Sequence, residues 1–98
     1  MIKHIVCWNF KDNFGGLDKH QIIQKVKNDI EALVGVVPGL LHAEVGEGIN
    51  PGGYECCLYS ELESTEALAV YQSHPAHQKV KDFVANVATS RIVCDYEV

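Results

Sequence analysis

The apolar positions of this chain keep two rhythms, one of period two and one of period 3.6. Residues 2–10, Ile-Lys-His-Ile-Val-Cys-Trp-Asn-Phe, are rich in β-branched and aromatic residues and predict a strand. His4, Val6, Trp8 and Phe10 share one face of it, and Ile5 and Cys7 the other. Lys11 to Gly16, with Asp12, Asn13, Gly15 and Gly16, predicts a loop. Asp18 and Gln21 then have the spacing of a helix capping box. Ile22, Ile23, Val26, Ile30, Leu33 and Val34 follow in helical steps on one stripe. Gly35 is expected to close that helix, and Pro38-Gly39 to redirect the chain.

Residues 40–46 predict a second strand and residues 54–62 a third. The turn between them carries Gly46, Gly48, Asn50, Pro51, Gly52 and Gly53, so the pair reads as an antiparallel hairpin. Ser64 is placed to cap a short helix with Ala67, Leu68 and Tyr71 on one face. His74 precedes Pro75, which disfavours helical geometry at His74 and suits the first turn of a new helix. That helix carries Ala76, Val80, Phe83, Val84 and Val87 on one stripe, and residues 90–97 predict the last strand. The order β-α-β-β-α-β, with its second helical part broken at His74-Pro75, is that of a ferredoxin-like α+β domain. Apolar residues occupy both faces of the strands: Cys56 and Leu58 oppose Cys57 and Tyr59, and Ile92 and Cys94 oppose Val93. Helices on one face leave the other bare, so a second copy of the sheet is the expected cover and a homodimer is predicted.

Composition narrows the function classes. The chain has 98 residues, which predicts a single domain over 1–98. Its net charge of −5 argues against a nucleic-acid partner and against a basic membrane-surface helix. No apolar run approaches the ~20 residues of a membrane span. The start, Met-Ile-Lys-His-Ile-Val, lacks a signal peptide's apolar stretch, so a cytoplasmic protein with reduced thiols is expected. Cys7, Cys56, Cys57 and Cys94 lie in strand-like runs without CxxC spacing and read as small hydrophobes. No phosphate-cradling glycine motif and no Gly-x-Ser-x-Gly elbow occurs.

The chain resembles the stress-responsive A/B barrel family, the Dabb domains, over nearly its whole length. The resemblance is carried by Lys3-His4-Ile5-Val6, Trp8-Asn9-Phe10-Lys11, Val37-Pro38-Gly39-Leu40, Leu58-Tyr59-Ser60 and Val93-Cys94-Asp95-Tyr96-Glu97. Its most specific part is Tyr71-Gln72-Ser73-His74-Pro75-Ala76-His77, a Tyr-x-x-His-Pro-x-His run. It implies a dimeric α+β barrel. Members of this kind include plant stress proteins and a plant polyketide cyclase, and many have no assigned activity.

Tyr71 and His77 are the candidate catalytic pair. On helical wheels Tyr71 falls on the apolar face of its helix and His77 at the edge of the next helix's stripe. Both can face the space between helices and sheet, where imidazole can take a proton and a phenol can donate to a carbonyl or enolate oxygen. By resemblance to the cyclase they match its catalytic Tyr and His, which implies proton abstraction beside a carbonyl and ring closure. Alternatively, the two hydrogen-bond each other and lock the helix break. A cofactor-free oxygenase is a third reading. Strand and helix phase give a pocket of His4, Val6, Trp8, Ile23, Val26, Cys56 and Leu58, and His74 joins them as pocket residue or helix cap. The cyclase pattern has a further His where this chain has Cys56, and an aliphatic residue where it has Trp8. A shorter or differently polar pocket follows. His74 and His77 are interrupted by Pro75 and no carboxylate lies in the motif, so no metal and no cofactor is expected. A small apolar carbonyl compound is the expected ligand, and a non-catalytic stress-linked dimer or apolar ligand binder is the competing role.

Overall fold

The computed structural model describes all residues, Met1–Val98. Strand β1 spans Ile2–Phe10, β2 Asn13–Phe14 and β3 Leu17–Asp18. Helix α1 spans Lys19–Glu31, β4 Leu40–Glu47 and β5 Cys56–Leu62. Helices α2 and α3 span Thr65–Ser73 and Pro75–Val87, and β6 spans Ala88–Glu97. The sheet order is β4-β5-β1-β6, and every neighbour pair is antiparallel. This is the ferredoxin-like α+β arrangement. No helix is long and apolar enough to cross a membrane.

Strict alternation in β1 buries Ile2, His4, Val6, Trp8 and Phe10 under the helices. β5 alternates in the same way, burying Cys56, Leu58, Ser60 and Leu62. The Asp18–Gln21 capping box forms: the Asp18 carboxylate accepts the Gln21 N–H at 2.8 Å, and the Gln21 side-chain carbonyl accepts the Asp18 N–H at 2.9 Å. Ile22, Ile23, Val26 and Ile30 of α1 are buried. The helix stops at Glu31, four residues before Gly35. The chain tightens into i→i+3 bonds there, and Gly35 at φ 88° reverses it. Val34 is thereby lifted off the stripe and exposed. The predicted loop at 11–16 contains a small hairpin. Gly15 and Gly16, at φ 58° and 83°, make the two-residue turn between β2 and β3. β5 begins two residues later than expected, and β6 starts at Ala88, directly off α3.

Gly39 is fixed by space as well as conformation. Its φ is 82°, and a Cβ there would stand 2.6 Å from the Ala67 Cβ. The corner after α1 can therefore pass tightly under α2.

Candidate functional site

The helix break builds the site. The Ser64 hydroxyl caps α2 by accepting the Ala67 N–H at 3.1 Å. Pro75 holds His74 extended, at φ −66° and ψ 134°, so α2 ends and α3 begins across one residue. The His74 Nδ1 accepts the Ala76 N–H at 3.1 Å and caps α3. The Tyr71 carbonyl, freed at the end of α2, accepts the His74 N–H at 3.3 Å and meets the His77 Nδ1 at 2.9 Å. A carbonyl only accepts, so the His77 Nδ1 carries the proton and the neutral ring keeps its lone pair on Nε2. The backbone break thus selects the tautomer.

The Tyr71 and His77 rings stack with centroids 3.9 Å apart and planes 19° apart. The His4 ring meets the Tyr71 ring edge-on at 5.9 Å. His4 lies opposite Asp95 in the β1–β6 register, and its Nδ1 is hydrogen-bonded to the Asp95 carboxylate. That carboxylate fixes the proton on Nδ1, so a neutral His4 also has its free lone pair on Nε2. Burial pushes His77 down from its ordinary value to about 4, against the pull of the Tyr71 carbonyl; Lys81, His4 and His74 push it further. Its imidazole is neutral at physiological pH. Burial pushes the Tyr71 phenol up, so it stays protonated. Burial also raises Cys56 to about 12, which makes it an inert thiol.

A cavity of about 480 Å³ opens beside these rings. Val6, Trp8 and Leu58 of the sheet form its floor, with Val80 and Val84 of α3 and Ile30 of α1 as apolar walls. His4 and His77 supply its polar surface, and Gln72, Lys81 and Arg91 complete its rim. Five of the sequence-predicted residues therefore meet: His4, Val6, Trp8, Leu58 and His77. Five do not line it. Val26 turns into the closed core under α1, Ile23 lines a separate, more polar pocket with Lys19, Glu47 and Glu55, and Cys56 is sealed at the far end of β5. His74 is a helix cap, its ring committed to the Ala76 N–H. Tyr71 backs the site rather than lining it. The hydroxyl is closed off and has no hydrogen-bond partner, as is the Trp8 indole N–H.

Asp95, Gln72, Lys81 and Arg91 were not singled out from sequence. Asp95 becomes visible only through the register that sets His4 opposite it. Lys81 follows His77 by one helical turn, a spacing that a wheel centred on His77 would have found.

A sequence profile described as the stress responsive A/B barrel domain matches residues 2–98. An uncharacterised protein of Streptomyces coelicolor is 30% identical over 99 residues, covering 99% of each chain. A dimeric protein of unknown function with a ferredoxin-like fold, from Bacteroides fragilis, superposes with a TM-score of 0.88. It is 32% identical, and the match covers 99% of this chain and 95% of that one. A protein of Arabidopsis thaliana superposes with a TM-score of 0.83 at 25% identity, over 100% of this chain and 95% of that one. The chain belongs to the stress-responsive A/B barrel (Dabb) domain family.

Proposed function

We propose that this chain works as a homodimer whose helix–sheet cavity binds a small, mostly apolar carbonyl compound and removes a proton beside the carbonyl without a cofactor. The observation that carries this reading is the His77 tautomer. Its Nδ1–H is held by the Tyr71 carbonyl, so a neutral imidazole offers a lone pair within a largely apolar cavity. His77 is the general base. His4, oriented by Asp95, is a second imidazole in the same cavity and can hold or relay the proton. The Tyr71 phenol is the donor for the developing enolate oxygen. Its buried hydroxyl has no hydrogen-bond partner in the folded chain and must be uncovered to take this role.

The outer sheet face supports dimer formation. Tyr59, Ile5 and Cys94 form one row across three adjacent strands, and Cys57, Cys7 and Ile92 form the next. No helix covers these rows, and Lys3, Glu44 and Glu61 border them. The Bacteroides fragilis relative is dimeric. The four free thiols suit a reducing compartment such as the cytosol. Light scattering at micromolar concentration should return twice the 10.8 kDa chain mass.

The test of the chemistry is α-proton exchange. Wild-type protein incubated with acetophenone in D₂O should accelerate deuteration of the methyl group. His77→Gln should lower that rate by ~10²–10⁴-fold. Full exchange in His77→Gln would remove the base assignment. The second reading is a non-catalytic apolar ligand binder, favoured by the closed-off Tyr71 hydroxyl. It predicts binding of the ketone with no exchange.

A further inference from the structure

We infer that the ligand of this cavity is an amphipathic anion, an apolar body carrying a carboxylate, with its head group on Arg91 and Lys81. This rests on the cavity being a ligand site, as proposed above, and not on any chemistry at His77. The chain carries a net charge of −5, yet the charged residues lining the cavity are Lys81 and Arg91, both cations. Arg91 is the single arginine of the chain. Neither residue takes part in any of the six ion pairs. Lys81 donates one hydrogen bond, to the Gln72 carbonyl at 3.2 Å, and an ammonium has two more to give. The arginine fork is free for a planar, bidentate partner such as a carboxylate.

The register gives the ligand a direction. Arg91 lies opposite Trp8, and Asp95 lies opposite His4. The two ends of this β6 face are four residues apart, or ~13 Å at the rise of a strand. Asp95 repels a second carboxylate at the histidine end, so the head group belongs at the Arg91 end. The apolar body then runs over Trp8, Val6 and Leu58 toward His4 and His77. Lys81 sits one helical turn beyond His77, and its charge is one of the influences that hold the His77 imidazolium down. A carboxylate on Lys81 cancels that influence and brings His77 closer to the range of an effective base.

Octanoate and 1-octanol share a chain and differ in head group. Calorimetry on the intact dimer should show octanoate binding about tenfold tighter than octanol. Arg91→Gln with Lys81→Gln should abolish the preference while leaving octanol affinity unchanged within twofold. Arg91→Lys should keep part of it. Raising salt from ~0.05 to ~0.5 M should weaken octanoate alone, since the rim is solvent-exposed. Equal binding of both probes to wild type, or a preference that survives the double variant, would overturn the proposal. Binding of neither probe would overturn it together with the cavity it rests on. Equal binding of both probes to wild type with ketone exchange intact would remove the anion assignment alone.

Discussion

The two long helices have the same length, and they treat the sheet beneath them differently. α1 and α3 each run for 13 residues. Under α1, Ile22 and Val26 are fully buried and close the core, while Ile30 at the far end of the helix reaches the wall of the cavity. Under α3, the stripe alternates branched residues with His77, Lys81 and Ala85, and a cavity of about 480 Å³ remains. The strand beneath differs as well. β6 is an edge strand that is exposed along nearly all of its length. Branched side chains at every core step close one half, and small or polar ones at the same steps leave room in the other. The half that packs worst is also the half that gathers two histidines, an orphan phenol and two unpaired cations. A fold can thus keep most of its closed core and most of its cavity under separate helices of one sheet.

The largest effect that would break this comparison lies in the closed half. Ile22→Ala should cost ~2–5 kcal/mol, because it removes a fully buried branched side chain from the core. In a domain of this size that is a large share of total stability and should lower the melting temperature by more than ~8 °C. A cost below ~1 kcal/mol in urea unfolding would show that α1 does not close the core.

The next effect is in pH. His77 is held neutral by burial, with its folded value depressed to about 4 from an ordinary ~6.5. Between those values the unfolded chain binds the proton and the folded one does not. Stability contributed here is complete above pH ~6.5 and is lost as pH falls toward 4. His77→Gln should flatten this part of the stability–pH curve relative to wild type. Parallel curves for the two proteins would contradict a buried neutral imidazole.

A smaller effect has the opposite sign. The Tyr71 hydroxyl is buried without a partner, and an unmet donor of this kind costs ~1–3 kcal/mol. Tyr71→Phe should therefore leave the protein as stable as wild type or up to ~2 kcal/mol more stable. It should also slow ketone exchange. Destabilisation by more than ~1 kcal/mol would mean that the phenol has a partner in the folded protein.

The smallest effect is at the cavity wall. Val84 is only half-buried beside existing empty space, so Val84→Ala should cost less than ~1 kcal/mol. A loss as large as that of Ile22→Ala would erase the distinction between the two halves.

Much of this division could be read from the residues themselves. The alternation of β1, the Asp18–Gln21 box, the Ser64 cap and the break at His74-Pro75 are local signals, and each formed where expected. Gly15-Gly16 makes a hairpin turn that the sequence shows only as a loop, because two-residue strands carry almost no periodicity. The candidate site was half legible. Wheel and strand phase brought His4, Val6, Trp8, Leu58 and His77 to one face of the sheet. Phase does not say which helix stands off from the sheet, so it sends to one cavity Val26 and Cys56, which pack into the core, and Ile23, which lines a different pocket. Asp95, Lys81 and Arg91 reach the site through the β1–β6 register and the pitch of α3, and both are properties of the assembled fold.

The central claim is that α3 presents a neutral His77, with Nδ1 protonated and Nε2 free, to a cavity that admits a ligand. Nitrogen NMR of the His77 imidazole across a pH titration, with and without saturating octanoate, tests it most directly. The account predicts the Nδ1–H tautomer, a titration well below the ordinary ~6.5, and an upward shift when octanoate binds. An Nε2–H tautomer, or an ordinary titration unmoved by the ligand, would contradict it.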